Sequence, residues 1–139
     1  MSDFDARNPD SYAFWVDETV RYADLDVMGH VNNKAFGTYY ESARVAYMMK
    51  NGLAVASDEG MALARIEIDY RAEILFPAAL RIGLRPLRVG RSSVTLAGAV
   101  FNGAVCASTS IAILVRFNTI QRKSMSFTDE QRARLEADL

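Results

Sequence analysis

The chain has 139 residues, of which 50% are hydrophobic and 24% are charged, a size and composition that indicate one compact globular domain. Its 16 Lys and Arg residues nearly balance its 17 Asp and Glu residues, and the net charge of -1 excludes a global field that would attract nucleic acid. The single cysteine excludes a disulfide framework, and no apolar run is long enough to span a membrane.

We expect one domain over residues 1–139, with a short polar segment at 1–10 and a C-terminal helix at about 128–138. Thr128 and Gln131 have the spacing of a capping box, which would begin this mostly charged helix. The first residues contain neither the basic nor the apolar region of a secretory signal. A cytoplasmic location is therefore expected.

The first two elements are predicted from their different periods. Alternating apolar residues predict an interrupted strand from Tyr12 to Tyr22. From Lys34 to Asn51 apolar residues recur every third or fourth position, which predicts a long helix with a buried aromatic stripe. Asn32 or Asn33 is suited to its N-cap, and Gly52 is suited to its C-terminal cap.

The strand period returns after the helix and predicts strands at 62–71, 80–89, 94–100 and 105–117. Pro86 cannot donate to a ladder and predicts a bulge or an edge, whereas Asn102 and Gly103 predict a two-residue hairpin. One apolar helix after the first of these strands predicts an α+β fold with a curved antiparallel sheet wrapped over the helix. The open sheet edges predict association, with a dimer as the minimum.

The first strand after the helix is expected to alternate strictly, because its apolar residues keep one parity. The residues predicted to share one face are Ala62, Ala64, Ile66, Ile68 and Tyr70.

Residues 22–36, YADLDVMGHVNNKAF, place two acids, the only histidine, a glycine and two asparagines directly before the helix. In the simplest interpretation these are caps and turns: Asp24 and Asp26 accept backbone N–H groups, Gly29 turns the chain and His30 is a satisfied side chain.

Metal sites are poorly supported by this stretch. A calcium loop would need an oxygen ligand at Met28 and a bidentate Glu at Ala35. Zinc is disfavoured because the chain has one His and one Cys, with no ligand spacing between them. We expect neither a metal nor a cofactor.

Carboxylate chemistry remains. Asp26 precedes the N-terminus of an apolar helix, where backbone N–H groups and the helix dipole can stabilise negative charge on an oxygen. A Ser or Cys nucleophile is disfavoured, because His30 is the only possible histidine base and no G-x-S-x-G motif exists. The arrangement suits attack on a carbonyl.

Residues 21–44, RYADLDVMGHVNNKAFGTYYESAR, resemble the motif of the hotdog-fold acyl-CoA thioesterases of the 4-hydroxybenzoyl-CoA thioesterase family. The resemblance rests on the order of Asp, Gly-His-Val-Asn, an aromatic helix and Glu-x-x-Arg. It implies a hotdog fold, in which an antiparallel sheet of about five strands wraps one central helix. It also implies hydrolysis of an acyl-CoA to a free acid and CoA by a homodimer or homotetramer.

The same resemblance implies roles for individual residues. Asp26 would be the nucleophile or general base, and a backbone N–H at or beside Asn33 would bind the oxyanion. Gly29 and His30 would shape the loop that brings these groups together. A helix glutamate is the working acid in part of the superfamily, which makes Glu41 a second candidate.

Several alternatives stay open at this point. Glu41 could instead pair with Arg44, three residues later on the helix. Asp26 with His30 could also serve a dehydratase of the same fold. A third possibility is a hotdog module that binds an acyl group or CoA without catalysis.

Substrate-binding residues are predicted on the helix and at one turn. Phe36 and Tyr40 could border an acyl pocket, although a helical aromatic stripe is usually core. Arg88, Arg91 and Ser92, around a predicted turn, could bind the phosphates of CoA or could be solvated surface residues.

Overall fold

The computed structural model describes residues 4–53 and 56–139, so residues 1–3 of the expected polar segment lie outside it. In chain order the elements are β1 (Phe14–Thr19), α1 (Asn33–Lys50), β2 (Glu59–Tyr70), β3 (Ala79–Val89), β4 (Ser93–Asn102), β5 (Val105–Asn118), β6 (Lys123–Ser124) and α2 (Asp129–Glu136), with 3-10 turns at Pro9–Ser11 and Tyr22–Asp24.

All the strands of the described residues belong to one antiparallel sheet, in the order β1-β3-β4-β5-β2 with β6 added to β5. Asn102 and Gly103 lie at the β4–β5 hairpin, as predicted, and Gly103 has a φ of 61°. The bulge expected at Pro86 is also present, because the β3–β4 register shifts between Pro86 and Arg88. The sheet curls over α1, which confirms the α+β hotdog architecture.

Helix α1 begins and ends within one residue of the prediction. The Asn32 side chain caps it by accepting a hydrogen bond from Lys34 N at 2.9 Å, and Gly52 follows its last turn with a φ of 71°. One face of the helix is buried against the concave side of the sheet. The buried residues are Ala35, Phe36, Tyr39, Tyr40, Ala43, Arg44, Tyr47 and Met48.

The helix approaches the sheet closely at Tyr40. This side chain is fully buried, and its hydroxyl lies 2.8 Å from Ser108 Oγ. Gly98 of β4 makes room for it: a Cβ there would lie 2.9 Å from Leu84 Cδ2 and from Ser110 Oγ, and 3.1 Å from Tyr40 Cε1. Burial raises the pKa of the Tyr40 hydroxyl, so Tyr40 remains a neutral hydrogen-bonding group in the core.

The strict alternation predicted for β2 is wrong at its N-terminal half. Its register against β5 slips between Leu63 and Arg65. Leu63 stands opposite Leu114, and Ile66 stands opposite Ala112, so both belong to the inner face. Because a bulge inserts one extra residue, Leu63 follows Ile66 on the inner face, and the predicted Ala62 and Ala64 do not lie there.

The first strand is also shorter than predicted. β1 ends at Thr19, and Tyr22 lies in a 3-10 turn. A reciprocal pair of hydrogen bonds between Arg21 and Asp24 closes this turn, which redirects the chain before α1.

The C-terminal helix is confirmed as α2, with Thr128 and Gln131 forming the predicted capping box. In the described part of the chain, no helix is both long and apolar enough to cross a membrane.

The close approach at Gly98 can be tested with one substitution at two positions. Gly98→Ala should lower the free energy of unfolding by about 1–3 kcal/mol, because the added methyl group overpacks the helix–sheet contact. Gly37→Ala on α1, where a Cβ would meet nothing within 4 Å, should raise it by about 0.5–1 kcal/mol. Urea unfolding followed by circular dichroism measures both. Effects of the same sign would contradict this packing.

Candidate functional site

The polar stretch before α1 is a small hairpin. Asn32 N donates to Asp24 O at 2.8 Å, and Asp26 N donates to His30 O at 2.9 Å. Gly29, with a φ of 87°, makes the turn and donates its N–H to Asp26 O at 3.1 Å. Asp26 and His30 therefore face each other across two arms, and the second arm runs directly into α1.

Both sides of this hairpin are anchored. Asp24 Oδ2 accepts hydrogen bonds from the Tyr39 hydroxyl at 2.6 Å and from Arg21 N at 2.9 Å. On the other side, Val31 N donates to Ile74 O at 2.9 Å. Asp24 thus ties the hairpin to the buried face of α1, and its carboxylate is occupied by structural bonds.

The Asp26 carboxylate is oriented by its own loop. Oδ1 accepts hydrogen bonds from Met28 N at 2.9 Å and from His30 N at 3.3 Å. Oδ2 lies 3.7 Å from His30 Nδ1, and the side chain is 24% exposed. The acid is therefore held in one orientation while part of it stays accessible.

A cleft of about 300 Å³ lies where the hairpin, the start of α1 and the end of β2 meet. His30 Nε2 lies 3.3 Å from Glu73 Oε1, and the Phe36 and Tyr70 rings pack edge to face at 5.2 Å. Asp26 does not line the cleft itself. It lies next to His30, which does. The lining residues are His30, Val31, Asn33, Phe36, Tyr70, Arg71, Ala72 and Glu73.

The first amide of α1 is a free donor at this cleft. Asn32 satisfies the next two amides, since its side chain accepts from Lys34 N and its carbonyl accepts from Ala35 N, each at 2.9 Å. The hydrogen bonds of residues 4–53 and 56–139 give Asn33 N no acceptor. Asn33, which lines the cleft, therefore has an unpaired N–H at the positive end of the helix.

Asp26 and Glu41, the two candidate acids, lie in different parts of the structure. Glu41 is exposed on α1 and borders a second groove, between α1 and β2, rather than the cleft. Phe36 borders the cleft, whereas Tyr40 is enclosed in the core. The structure thus brings Asn33, His30 and Phe36 together and separates Glu41 and Tyr40 from them.

The predicted phosphate-binding residues lie near the other end of α1. Gln131 Nε2 donates to Gly52 O just after α1, and the neighbouring Arg132 Nη2 donates to Gly90 O. The 18 residues of α1 span about 27 Å, so the turn at Gly90 is far from the helix start. Within one chain, the cleft does not include the residues predicted at this turn, namely Arg88, Arg91 and Ser92.

Three polar residues of the cleft were missed by sequence reasoning: Tyr70, Arg71 and Glu73. Tyr70 shares the predicted parity of Ile66 and Ile68, a signal that could have identified it. The contact between Glu73 and His30 depends on pairing of segments far apart in the chain, which a local pattern does not encode.

Other reactive groups contribute little here. Burial raises the pKa of the Cys106 thiol, which favours the unreactive protonated form. Among the described residues, no three His, Cys, Asp or Glu side chains form a cluster that could hold a metal ion.

Comparison with known proteins identifies the family. The sequence profile of the Thioesterase-like superfamily matches residues 20–135. The chain belongs to the Thioesterase-like superfamily. This Thioesterase-like chain is 30% identical to the uncharacterized protein YsmA of Bacillus subtilis (strain 168). The 128 aligned residues cover 90% of this chain and 86% of YsmA.

Solved structures share the fold of this Thioesterase-like chain. The PA5185 protein of Pseudomonas aeruginosa matches with a TM-score of 0.85 and 25% identity over 93% of each chain. A DHNA-CoA thioesterase of Staphylococcus aureus matches with a TM-score of 0.79 and 21% identity over 88% of this chain and 90% of its own. The SAV2348 protein of Staphylococcus aureus, solved in complex with CoA, matches with a TM-score of 0.82 and 15% identity over 90% and 84%. Superfamily membership supports thioester hydrolysis as the general activity.

The anchoring of the hairpin can be tested at Tyr39. Tyr39→Phe should lower the free energy of unfolding by about 1.5–3 kcal/mol, because a hydrogen bond to a charged carboxylate is lost at a buried position. Tyr22→Phe, at a side chain that is 80% exposed, is the matched control and should change stability by less than about 0.5 kcal/mol. Urea unfolding compares the two. Equal effects would show that the Tyr39 hydroxyl does not hold the loop.

Proposed function

We propose that this chain hydrolyses an acyl-CoA thioester to a free acid and CoA, as the resemblance to 4-hydroxybenzoyl-CoA thioesterases implies. The observation that carries the proposal is the unpaired Asn33 N–H at a cleft whose wall includes His30, the residue that faces Asp26. Acyl transfer requires such a donor and a carboxylate that can reach the carbonyl carbon. Asp26 does not line the cleft, so its carboxylate would approach the thioester beside His30.

The Asn33 amide would bind the carbonyl oxygen of the thioester. As this oxygen gains negative charge in the tetrahedral intermediate, its hydrogen bond to the amide strengthens, and the dipole of α1 adds to the attraction. One such donor stabilises the transition state by roughly 2.7–4 kcal/mol in other enzymes. Because the helix start is fixed by the cap of Asn32, little reorganisation would be needed during reaction.

Asp26 would supply the carboxylate in one of two ways. As a nucleophile, Oδ2 attacks the carbonyl carbon, the C–S bond breaks and CoA leaves as the thiolate; water then hydrolyses the mixed anhydride and restores Asp26. As a general base, it takes a proton from a water molecule whose oxygen attacks the same carbon. Both ways use the oxygen that the amides of Met28 and His30 leave available.

CoA is favoured as the thiol carrier by two fold relatives: a thioesterase named for a CoA substrate and a protein solved with CoA. Its phosphates require basic partners. Arg71 borders the cleft, and Lys34 is exposed on the first turn of α1. We therefore assign a phosphate contact to Arg71, because Lys34 borders a separate pocket with Asp24 and Asn32. Contacts from Arg88, Arg91 and Ser92 would require a second subunit.

The role of Asp26 can be tested against the neighbouring acid. Asp26→Asn should lower thiol release from a panel of acyl-CoAs by at least about 100-fold, with unchanged thermal unfolding. Asp24→Asn should instead lower stability, because it loses structural hydrogen bonds, and retain most of the turnover. Parental activity in Asp26→Asn would remove Asp26 from the mechanism. Wild-type protein that binds CoA but releases no thiol from any acyl-CoA would indicate the non-catalytic binding module.

The phosphate contacts can be tested separately from the chemistry. Arg71→Ala should raise KM for acyl-CoA about tenfold, as expected for loss of a charge-assisted hydrogen bond. It should leave KM unchanged for the matching acyl-pantetheine, which lacks the nucleotide phosphates. Arg91→Ala is the matched control from the far end of α1 and should not change either constant. A rise in KM for acyl-CoA with Arg91→Ala but not with Arg71→Ala would instead assign the phosphates to the turn at Gly90.

A further inference from the structure

The only histidine of the chain lies between two acids. His30 Nδ1 is 3.7 Å from Asp26 Oδ2, and on the other edge of the ring Nε2 is 3.3 Å from Glu73 Oε1. Asp26 and His30 share the hairpin before α1, whereas Glu73 follows β2. An antiparallel bridge between His30 and Leu75 joins these two segments. Both ring nitrogens therefore face a carboxylate.

A neutral imidazole carries one proton, so it can donate a hydrogen bond to only one of these carboxylates. The carboxylate that receives this bond decides which nitrogen holds the proton. Nε2 is the nitrogen closer to its partner, and the Glu73 side chain makes no other ion pair or side-chain hydrogen bond among residues 4–53 and 56–139. At 3.7 Å, Asp26 Oδ2 is too far from Nδ1 to accept a hydrogen bond. The geometry thus places the proton on Nε2 and leaves the lone pair of Nδ1 facing Asp26.

The ring is also the group that connects Asp26 with the cleft. His30 and Glu73 line the cleft, and Asp26 does not. The His30 side chain is 28% exposed, whereas that of Glu73 is 61% exposed. A proton that leaves Asp26 on the cleft side therefore meets His30 first.

We propose that Glu73 is a positioning residue: it holds His30 in the tautomer with a proton on Nε2, so that Nδ1 accepts the proton that Asp26 has taken from water. The inference rests on the proposed function and concerns its general-base route. Contacts between catalytic groups are often long without substrate, and closure of this gap to about 3 Å permits the transfer.

The proton is conserved through the reaction. An O–H bond of the water breaks, its oxygen bonds to the carbonyl carbon, and the proton passes from Asp26 Oδ2 to His30 Nδ1. The C–S bond then breaks, and the imidazolium gives one proton to the sulfur of the departing CoA. Asp26 is again a carboxylate, and proton exchange with water returns the ring to the tautomer that Glu73 favours.

The tautomer can be measured directly, because a single histidine gives one set of ring signals in a nitrogen-15 NMR spectrum. In the neutral ring of the wild-type protein, the proton should lie on Nε2. Glu73→Ala removes its acceptor and should move the proton to Nδ1, where Asp26 accepts it. Glu73→Gln keeps an acceptor oxygen and should retain the wild-type spectrum. Glu67→Ala is the matched control, since Glu67 is 59% exposed and pairs with Arg65 instead.

Thiol release tests the consequence for catalysis. Glu73→Ala should lower kcat for an acyl-CoA at least about tenfold, because a protonated Nδ1 cannot accept the proton from Asp26. KM should stay within about twofold, since no group that binds the substrate has changed. Glu73→Gln should keep kcat within about threefold of the wild type, and Glu67→Ala should keep both constants.

Two results would overturn the role of Glu73 alone. They are a proton on Nδ1 in the wild-type ring, or parental kcat and an unchanged spectrum in Glu73→Ala while Asp26→Asn is inactive. A wild-type protein that releases no thiol from any acyl-CoA would overturn the proton transfer together with the proposed function. The NMR measurement would still decide the tautomer in that case.

Discussion

The seating of α1 in the concave face of the sheet is the constraint on which the site depends. Tyr40 reaches through the core to Ser108, and Gly98 leaves the space that lets it do so. This contact fixes the height and rotation of the helix. As a consequence, the free amide of Asn33 lies beside His30, at the end of the sheet where β2 ends. A helix displaced along its axis would take the donor out of the cleft.

The two acids of the Asp-Leu-Asp sequence have different surroundings. Asp24 is used for structure, because its carboxylate receives a hydroxyl and a backbone amide that join the hairpin to α1. Asp26 is oriented by amides of its own turn and keeps one oxygen without a hydrogen bond among the described residues. Asp24 therefore supports the hairpin, whereas Asp26 keeps an oxygen that is available to react. His30 links the second acid to the cleft.

Local signals predicted α1 and the Asn102–Gly103 hairpin well, because caps, periodicity and turn chemistry act between near neighbours. The bulge in β2 could not be predicted, since it arises from the match between two strands far apart in sequence. For the same reason, the sequence could not predict the contact of His30 with Glu73 or the distance between the Gly90 turn and the cleft. The candidate acid and helix donor could be proposed from the sequence because one short segment carries both.

The arrangement is tested most directly by a crystal structure of the protein with a ketone analogue of an acyl-CoA, in which a methylene group replaces the sulfur. We predict the ketone oxygen within about 3 Å of Asn33 N, with the ketone carbon facing Asp26 Oδ2. An analogue whose ketone lies outside the cleft, or whose oxygen is bound by other donors while Asp26 points away, would contradict the account.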